Sequence, residues 1–283
     1  MKHMHNDKET LVLGGTGKTG RRVAERLTRR EMRVRIGSRS GMPPFDWENP
    51  ATWQPAVEGV ASAYVSYYPD LAFPGAADAV QAFVELAVRS GVTKLVLLSG
   101  RGEEGAMRGE QAVRSSGVNW SIVRASWFFQ NFSEHFLLEP VLAGEVAFPA
   151  GQIAEPFIDA EDVADVAVAA LADDRHNGQL YEVTGPRLLT FGEAIEGIAT
   201  ATGRKIRYVP VSGDEYASAM REYGVPEDFT NPLVQLITTV LDGRNAHLSD
   251  GVRRALGREP RDFSEYARAT AATGVWGARD GLR

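Results

Sequence analysis

The apolar positions fall into short blocks whose spacing alternates along the chain. "TLVLGG" is a compact apolar run ending in glycines, the length of a buried strand. "GRRVAERLTRR" follows with helical spacing, Val23, Ala24 and Leu27 on one face and the arginines elsewhere. "MRVRIGSRS" then reads as a second strand. "VASAYVSYY", Val60 to Tyr68, reads as a strand, and "GAADAVQAFVELAVRSG" as a helix. That helix turns Val80, Phe83, Leu86 and Ala87 inward and stops at Gly91. "TKLVLLSG" is a fully apolar strand, "EEGAMRGEQAVRSSG" a helix stopping at Gly117, and "NWSIVRA" the next strand. Strands alternating with helices predict an α/β fold with a doubly wound parallel sheet.

Past residue 125 the pattern changes. "SWFFQNFSEHFLLEPVL" packs Trp127, Phe128, Phe129, Phe132 and Phe136 into a short span. "EPFIDAEDVADVAVAALADD" predicts a strand end and a helix capped near Asp159, and "GQLYEVTG" another strand. From about Pro186 the chain is helix-rich. The expected organisation is a Rossmann domain over residues 9–155 and a smaller, helix-rich substrate or lid domain over 156–283. The two are expected to share some strands and helices.

Composition narrows the class. The chain has 283 residues, 43% hydrophobic and 24% charged, which is ordinary for a soluble globular protein. It holds no apolar run long enough for a membrane helix, and "MKHMHNDKET" lacks the apolar centre of an export signal. A cytoplasmic location with no membrane contact is expected. His3 and His5 belong to a terminal tail, and residues 1–8 are left out of the fold. With no cysteine, thiol catalysis, disulfides, iron–sulfur clusters and zinc–thiolate sites are excluded, and no metal site is expected. A net charge of −6 argues against direct nucleic-acid binding. Any anion must be held by local geometry.

That geometry is offered by "GGTGKTG", Gly14 to Gly20. Gly17-Lys18-Thr19 ends like a nucleotide-triphosphate loop, but such a loop needs a glycine five positions before Gly17, where Val12 stands. The dinucleotide pattern fits instead. Gly15, Gly17 and Gly20 satisfy G-x-G-x-x-G, with Thr16, Lys18 and Thr19 between them. The loop lies between a strand and a helix, so the helix N-terminus faces the pyrophosphate charge. The second strand ends in "GSRS" without the acid that would bond an unmodified ribose. Ser38 and Arg39 instead suit a 2′-phosphate, so NADP(H) is the expected cofactor. Lys18, Arg21 and Arg22 also crowd a helix N-terminus, a repulsion that a bound anion would offset.

"TLVLGGTGKTG", "IGSRSG", "KLVLLSGRG", "SIVRASWFFQNF" and "PFIDAEDVADVAVAAL" together resemble the NmrA-like, atypical branch of the short-chain dehydrogenase/reductase superfamily, over roughly residues 9 to 210. The resemblance implies that Asp46, after a short third strand, sits near the adenine. It implies that Tyr67, Tyr68, Ser99 and Gly100 line the ribose–nicotinamide stretch, and that Asn131 shapes the floor beneath it.

Most short-chain reductases carry a Tyr-x-x-x-Lys pair that supplies the proton accompanying hydride transfer. The five lysines here are Lys2, Lys8, Lys18, Lys94 and Lys205, and none follows a tyrosine by four. The helix that would carry the pair offers Glu103, Glu104, Arg108 and Glu110. Substitute donors are Tyr68, Ser99 and His135, each with a plainer reading: Tyr68 packing the strand end, Ser99 bonding backbone there, and His135 a surface or core histidine. Trp127 and Phe128 are either core or the wall of a flat, apolar substrate pocket. Two functions follow. One is an NADPH-dependent oxidoreductase passing hydride to a small hydrophobic conjugated acceptor, a quinone or an aromatic ketone. The other is a non-catalytic NADP(H)-sensing regulator with a protein partner.

Overall fold

The computed structural model describes residues 9–134 and 136–277, so His135 and both terminal tails lie outside the described residues. In chain order the elements begin β1 (Glu9–Leu13), α1 (Gly20–Arg29), β2 (Val34–Gly37), α2 (Trp53–Val57), β3 (Val60–Val65) and α3 (Ala76–Arg89). They continue with β4 (Lys94–Gly100), α4 (Glu104–Arg114), β5 (Asn119–Ala125), α5 (Asn131–Glu134), α6 (Leu138–Ala143), β6 (Glu145–Phe148), β7 (Ala154–Glu155), α7 (Ala160–Ala172) and β8 (Gln179–Val183). The last are β9 (Leu189–Thr190), α8 (Phe191–Thr202), β10 (Arg207–Pro210), α9 (Gly213–Glu222), α10 (Glu227–Val240), α11 (Gly251–Leu256) and α12 (Phe263–Ala272). The chain forms two compact units. The first comprises the chain up to Ala125, Ala160–Val183 and Asp250–Arg258; the second comprises Ser126–Asp159, Thr184–Ser249 and the chain from Glu259.

The first unit is the doubly wound sheet. Six parallel strands lie in the order β2-β1-β3-β4-β5-β8. A parallel sheet is covered on both faces, so its central strands carry near-continuous apolar runs. Leu11, Val12 and Leu13 of β1 and Leu95, Val96 and Leu97 of β4 are all completely buried. On one face Leu11, Leu13, Ala63, Val65, Leu95 and Leu97 pack with Val80, Phe83 and Ala87 of α3. Helices α1 and α7 pack together, and α7 also lies against β3, β4 and β5.

The arginines of α1 are part of this packing. Arg22 Nε donates to Glu161 at 2.5 Å and Arg26 Nε to Asp165 at 2.6 Å, and a second Arg26 nitrogen bonds Glu161. Arg258 bonds Asp162 at 2.7 Å and Asp165 at 2.6 Å. Of the three cations expected to call for an anion, Arg22 is therefore answered by a carboxylate of α7.

Two expected strands are shorter or absent. The ladder of β3 stops at Val65, where its neighbour β1 has given way to the glycine loop, so Ser66 to Tyr68 have no second strand to pair with. No strand precedes Asp46: residues 41–49 are irregular, organised by Phe45 N donating to Ser38 O at 2.9 Å and by Trp53 Nε1 donating to Asp46 O at 2.8 Å.

In the second unit β6 pairs with β10 in parallel and β7 with β9 antiparallel. Its core is aromatic: Phe129, Phe132, Phe148, Phe157, Phe191, Phe263 and Trp276 are buried together. Trp276 Nε1, deep in that core, is satisfied by Phe132 O at 2.8 Å. Helices α8 and α9 each start with a capping box, Thr190 with Glu193 and Ser212 with Glu215, which fixes where the chain turns into helix. Among the described residues no helix is long and apolar enough to cross a membrane.

Candidate functional site

In the first unit the chain leaves β1 for β2 on one side and β3 on the other, so the strand order reverses beside β1. Ligands of doubly wound sheets bind outside the carboxyl ends of the strands at such a switch point. The Gly14–Gly20 loop stands there. Gly14 has φ +63°, a conformation that favours glycine. A β-carbon at Gly20 would lie 2.1 Å from Gly14 O, and one at Gly15 would lie 2.9 Å from both Ile36 and Val12 O. The loop closes on itself through Gly17 N donating to Gly14 O at 2.8 Å.

Helix α1 starts on Thr19 without a side-chain cap. The Thr19 hydroxyl accepts a hydrogen bond from Tyr64 at 3.0 Å instead. Tyr64 is completely buried, and that burial pushes its phenol up, outweighing the bond to Thr19. The loop is thus tied to β3 while Thr16 and Gly17 stay exposed at its tip. A close-packed glycine turn opening onto an uncapped helix end fits the pyrophosphate of a dinucleotide.

Past β2, Ser38 is half-buried and Arg39 exposed in the turn closed by Gly41 N donating to Ser38 O at 2.9 Å. Asp46 is half-buried, its carboxylate accepting from Glu48 N at 3.1 Å. Trp47 was not singled out by its sequence pattern. Its Nε1 donates to Ser66 O at 3.1 Å, and its ring lies 4.9 Å from that of Tyr67. Burial raises the Tyr67 phenol, helped by nearby Glu48. Tyr68 is 67% exposed. Ser99 is buried, and its hydroxyl donates to Glu110 Oε1 at 2.7 Å. Glu110 also holds Arg124, at 2.8 and 2.6 Å, and Arg101 holds Glu182 at 2.9 Å. The Ser99 hydroxyl hydrogen is therefore committed within the protein.

In the second unit Trp127 is half-buried, with its ring centroid 6.0 Å from that of Phe148 and 5.9 Å from that of Phe191. Its Nε1 is shut off from solvent and has no hydrogen-bond acceptor among the described residues. Phe128 bridges Ile158 through the backbone, and Asn131 is buried with its amide on Phe128 O at 3.2 Å. Phe129 and Phe132 are core residues.

Residues 107–267 match the NmrA-like family. Over 96% of this chain and 99% of the relative, the sequence is 33% identical to the uncharacterized oxidoreductase YesF of Bacillus subtilis. The chain belongs to the NmrA-like family. Among its relatives is an NAD(P)H azoreductase of Xenophilus azovorans, 32% identical over 93% of this chain and 98% of that one. The fold is shared with the NADPH-dependent quinone oxidoreductase of Escherichia coli solved with NADPH, at TM-score 0.72, 17% identity, and coverage of 92% of this chain and 99% of that one. This NmrA-like chain has a glycine loop after β1 and a six-stranded parallel sheet. Its loop after β2 ends in Ser38 and Arg39, with no carboxylate at those two positions.

Proposed function

We propose that this chain is an NADPH-dependent oxidoreductase acting on a small, hydrophobic, conjugated acceptor such as a quinone or aromatic ketone. One observation carries the reading: the loop after β1 excludes side-chain carbons where a pyrophosphate must approach, and a guanidinium follows β2. In it the amides of the loop and of the first turn of α1 hold the pyrophosphate. Arg39 and Ser38 take the 2′-phosphate, Asp46 lies toward the adenine, and Tyr67 and Gly100 border the ribose and nicotinamide. NADPH, when bound, supplies hydride. Trp127, Phe128 and Asn131 border the acceptor in this reading, the two rings suited to a flat conjugated molecule. Relatives named as an oxidoreductase and as an azoreductase support hydride transfer to a conjugated system.

Melting curves with NADPH, NADP⁺, NADH and ATP in parallel test the cofactor. A ligand at a hundred times its Kd adds about 2.7 kcal/mol, and NADPH is expected to stabilise most and ATP least. Oxidation of NADPH with a quinone and enone panel tests the reaction; tight NADPH binding with no turnover on any acceptor overturns it. The absence of a Tyr-x-x-x-Lys pair favours a second reading, a redox-sensing regulator. That reading requires a protein partner to bind the NADPH and NADP⁺ forms with different affinity, and equal affinities dismiss it.

A further inference from the structure

Two acids that no part of the cofactor reading uses meet in the loops after β3 and β4. Asp70 follows β3 and Glu103 follows β4, neighbouring strands whose carboxyl ends open on the edge where the glycine loop stands. The loop after β3 reaches that glycine loop directly: a β-carbon at Gly14 would sit 3.5 Å from Ser66 Oγ. Three glycines clear the space for the acids. The Glu103 carboxyl lies flush on Gly100, where a β-carbon would come within 2.2 Å of Cδ and both oxygens. Gly105 and Gly109, one turn apart on α4, let that helix close on the Asp70 loop, since β-carbons there would fall 2.9 Å from Ala72 and from Leu71. Asp70 is held in place by Ala72 N, which donates to it at 2.8 Å.

The contact makes chemical sense with one proton and not with none. The two carboxyls are close neighbours, and as two carboxylates they would hold no hydrogen to share. Glu103 Oε2 is closed to solvent, and no N–H or O–H of the described residues reaches it. Ionised, that oxygen is a buried acceptor without a donor; protonated, the group donates to Asp70. The surrounding charges agree. Burial pushes the Glu103 carboxyl well up, and the Asp70 carboxylate and then Glu110 add to it. No guanidinium or ammonium among the described residues pairs with either acid. The cations of the neighbourhood go elsewhere: Arg124 and Arg114 face Glu110, and Arg101 faces Glu182. Glu103 is the N-cap residue of α4, whose N-terminus favours an anion, but the Glu103 side chain makes no capping bond to it.

We propose that Glu103, holding a proton it shares with Asp70, is the proton donor that accompanies hydride transfer in this chain, in place of the missing tyrosine and lysine. The inference rests on the oxidoreductase reading. The Glu103 O–H bond breaks as an O–H or N–H bond forms on the acceptor, which has taken the two electrons of a hydride from the dihydronicotinamide. Solvent then returns one proton to the acid pair, so each turnover consumes one proton and one NADPH. The nicotinamide is oxidised and the acceptor reduced.

The test has two arms. Infrared spectra of the ligand-free protein at pH 7 are expected to contain a protonated-carboxyl carbonyl band that disappears in Glu103→Gln. Its absence from the wild-type protein overturns the shared proton. Glu103→Gln keeps the shape and can still donate to Asp70. It is expected to bind NADPH as the wild type does while turnover falls about a hundredfold or more, the scale of general acid catalysis. Unchanged turnover overturns the donor role. Asp70→Asn removes the neighbouring charge that holds the Glu103 proton, so the alkaline limb of the turnover–pH profile is expected to move to lower pH; a fixed limb overturns the sharing. A wild-type protein that fails to bind or oxidise NADPH at all ends the oxidoreductase reading and the donor role with it, whereas an active wild type matched by Glu103→Gln ends only the donor role.

Discussion

Gly20→Ala is the sharpest perturbation of the loop. The added methyl would stand 2.1 Å from Gly14 O, 2.6 Å from Gly14 C and 3.0 Å from the Gly15 Cα. All three are backbone atoms, so no side chain can swing aside. Restoring an ordinary carbon–oxygen contact moves the loop away from α1 by about 1 Å. Overpacking of this kind costs about 1–3 kcal/mol, and alanine's better helix propensity offsets at most about 1 kcal/mol of it. The fold should survive with a modest loss of stability. Cofactor binding should suffer more, because the displaced segment carries the amides aimed at the pyrophosphate. Losing one charge-assisted hydrogen bond costs about 1.5–3 kcal/mol, which weakens Kd by about ten- to a hundredfold. Isothermal calorimetry with NADPH, beside a thermal melt of the free protein, separates the two effects. A folded Gly20→Ala protein with the wild-type Kd would refute the assignment of this loop to the pyrophosphate.

Three further outcomes are expected. Arg39→Ala should remove the preference for NADPH over NADH in paired Kd measurements while leaving NADH binding nearly unchanged; a surviving preference places the 2′-phosphate elsewhere. Arg187 holds the Asp262 carboxyl well below the usual carboxylate range through hydrogen bonds of 2.7 and 3.1 Å, against the opposing effect of partial burial. A lowered folded-state pKa contributes stability fully present above the unfolded value of about 3.9 and lost as pH falls through the folded one. Asp262→Asn should therefore lower the urea midpoint at pH 6 and much less at pH 2, and an equal loss at both would rule out the ion pair as the cause. Thr190→Ala removes the hydroxyl that accepts from Glu193 N at 3.1 Å. It should cost about 1 kcal/mol, read as a lower denaturation midpoint with NADPH affinity unchanged.

What the sequence made legible was local or periodic. The βα turn at Gly14–Gly20 follows from steric demands within seven residues, and β4 and β5 from apolar runs that only a covered strand tolerates. Contacts made by strand order were hidden. Arg22 and Glu161 are 139 positions apart and meet because α1 and α7 pack together. Aromatic residues in "VSYY" favour a strand, but β-propensity cannot substitute for a missing partner, and β3 ends at Val65. Trp47 carries no pattern of its own, and its bond to Ser66 depends on an irregular stretch. The meeting of Asp70 with Glu103 was likewise beyond reach: Glu103 was only one of four charged residues on the helix that lacks the pair, and it is the adjacency of β3 and β4 that joins it to Asp70.

Helix α4 puts the sharpest contrast of the site on one element. Glu103 stands just before the helix in extended backbone, and Glu110 lies within it, seven residues on. Sequence gives them the same chemistry; their surroundings do not. Around Glu110 stand the Ser99 hydroxyl at 2.7 Å, Arg124 at 2.6 Å and Arg114 at 3.6 Å, enough donors and positive charge to satisfy a buried carboxylate. Around Glu103 stand a bare glycine backbone and a second acid, and no cation among the described residues pairs with it. Surroundings this different give two like groups different tasks, one tied into ion pairs with Arg124 and Arg114 and the other sharing its proton with Asp70. The division also explains the glycines. A side chain at position 100, 105 or 109 would force the acids apart, and water entering the gap would let Glu103 ionise. Gly109→Ala, whose new methyl meets the flexible end of Leu71, is the mildest of the three intrusions. If the pair depends on close approach, that variant should weaken the protonated-carboxyl band while leaving NADPH affinity intact.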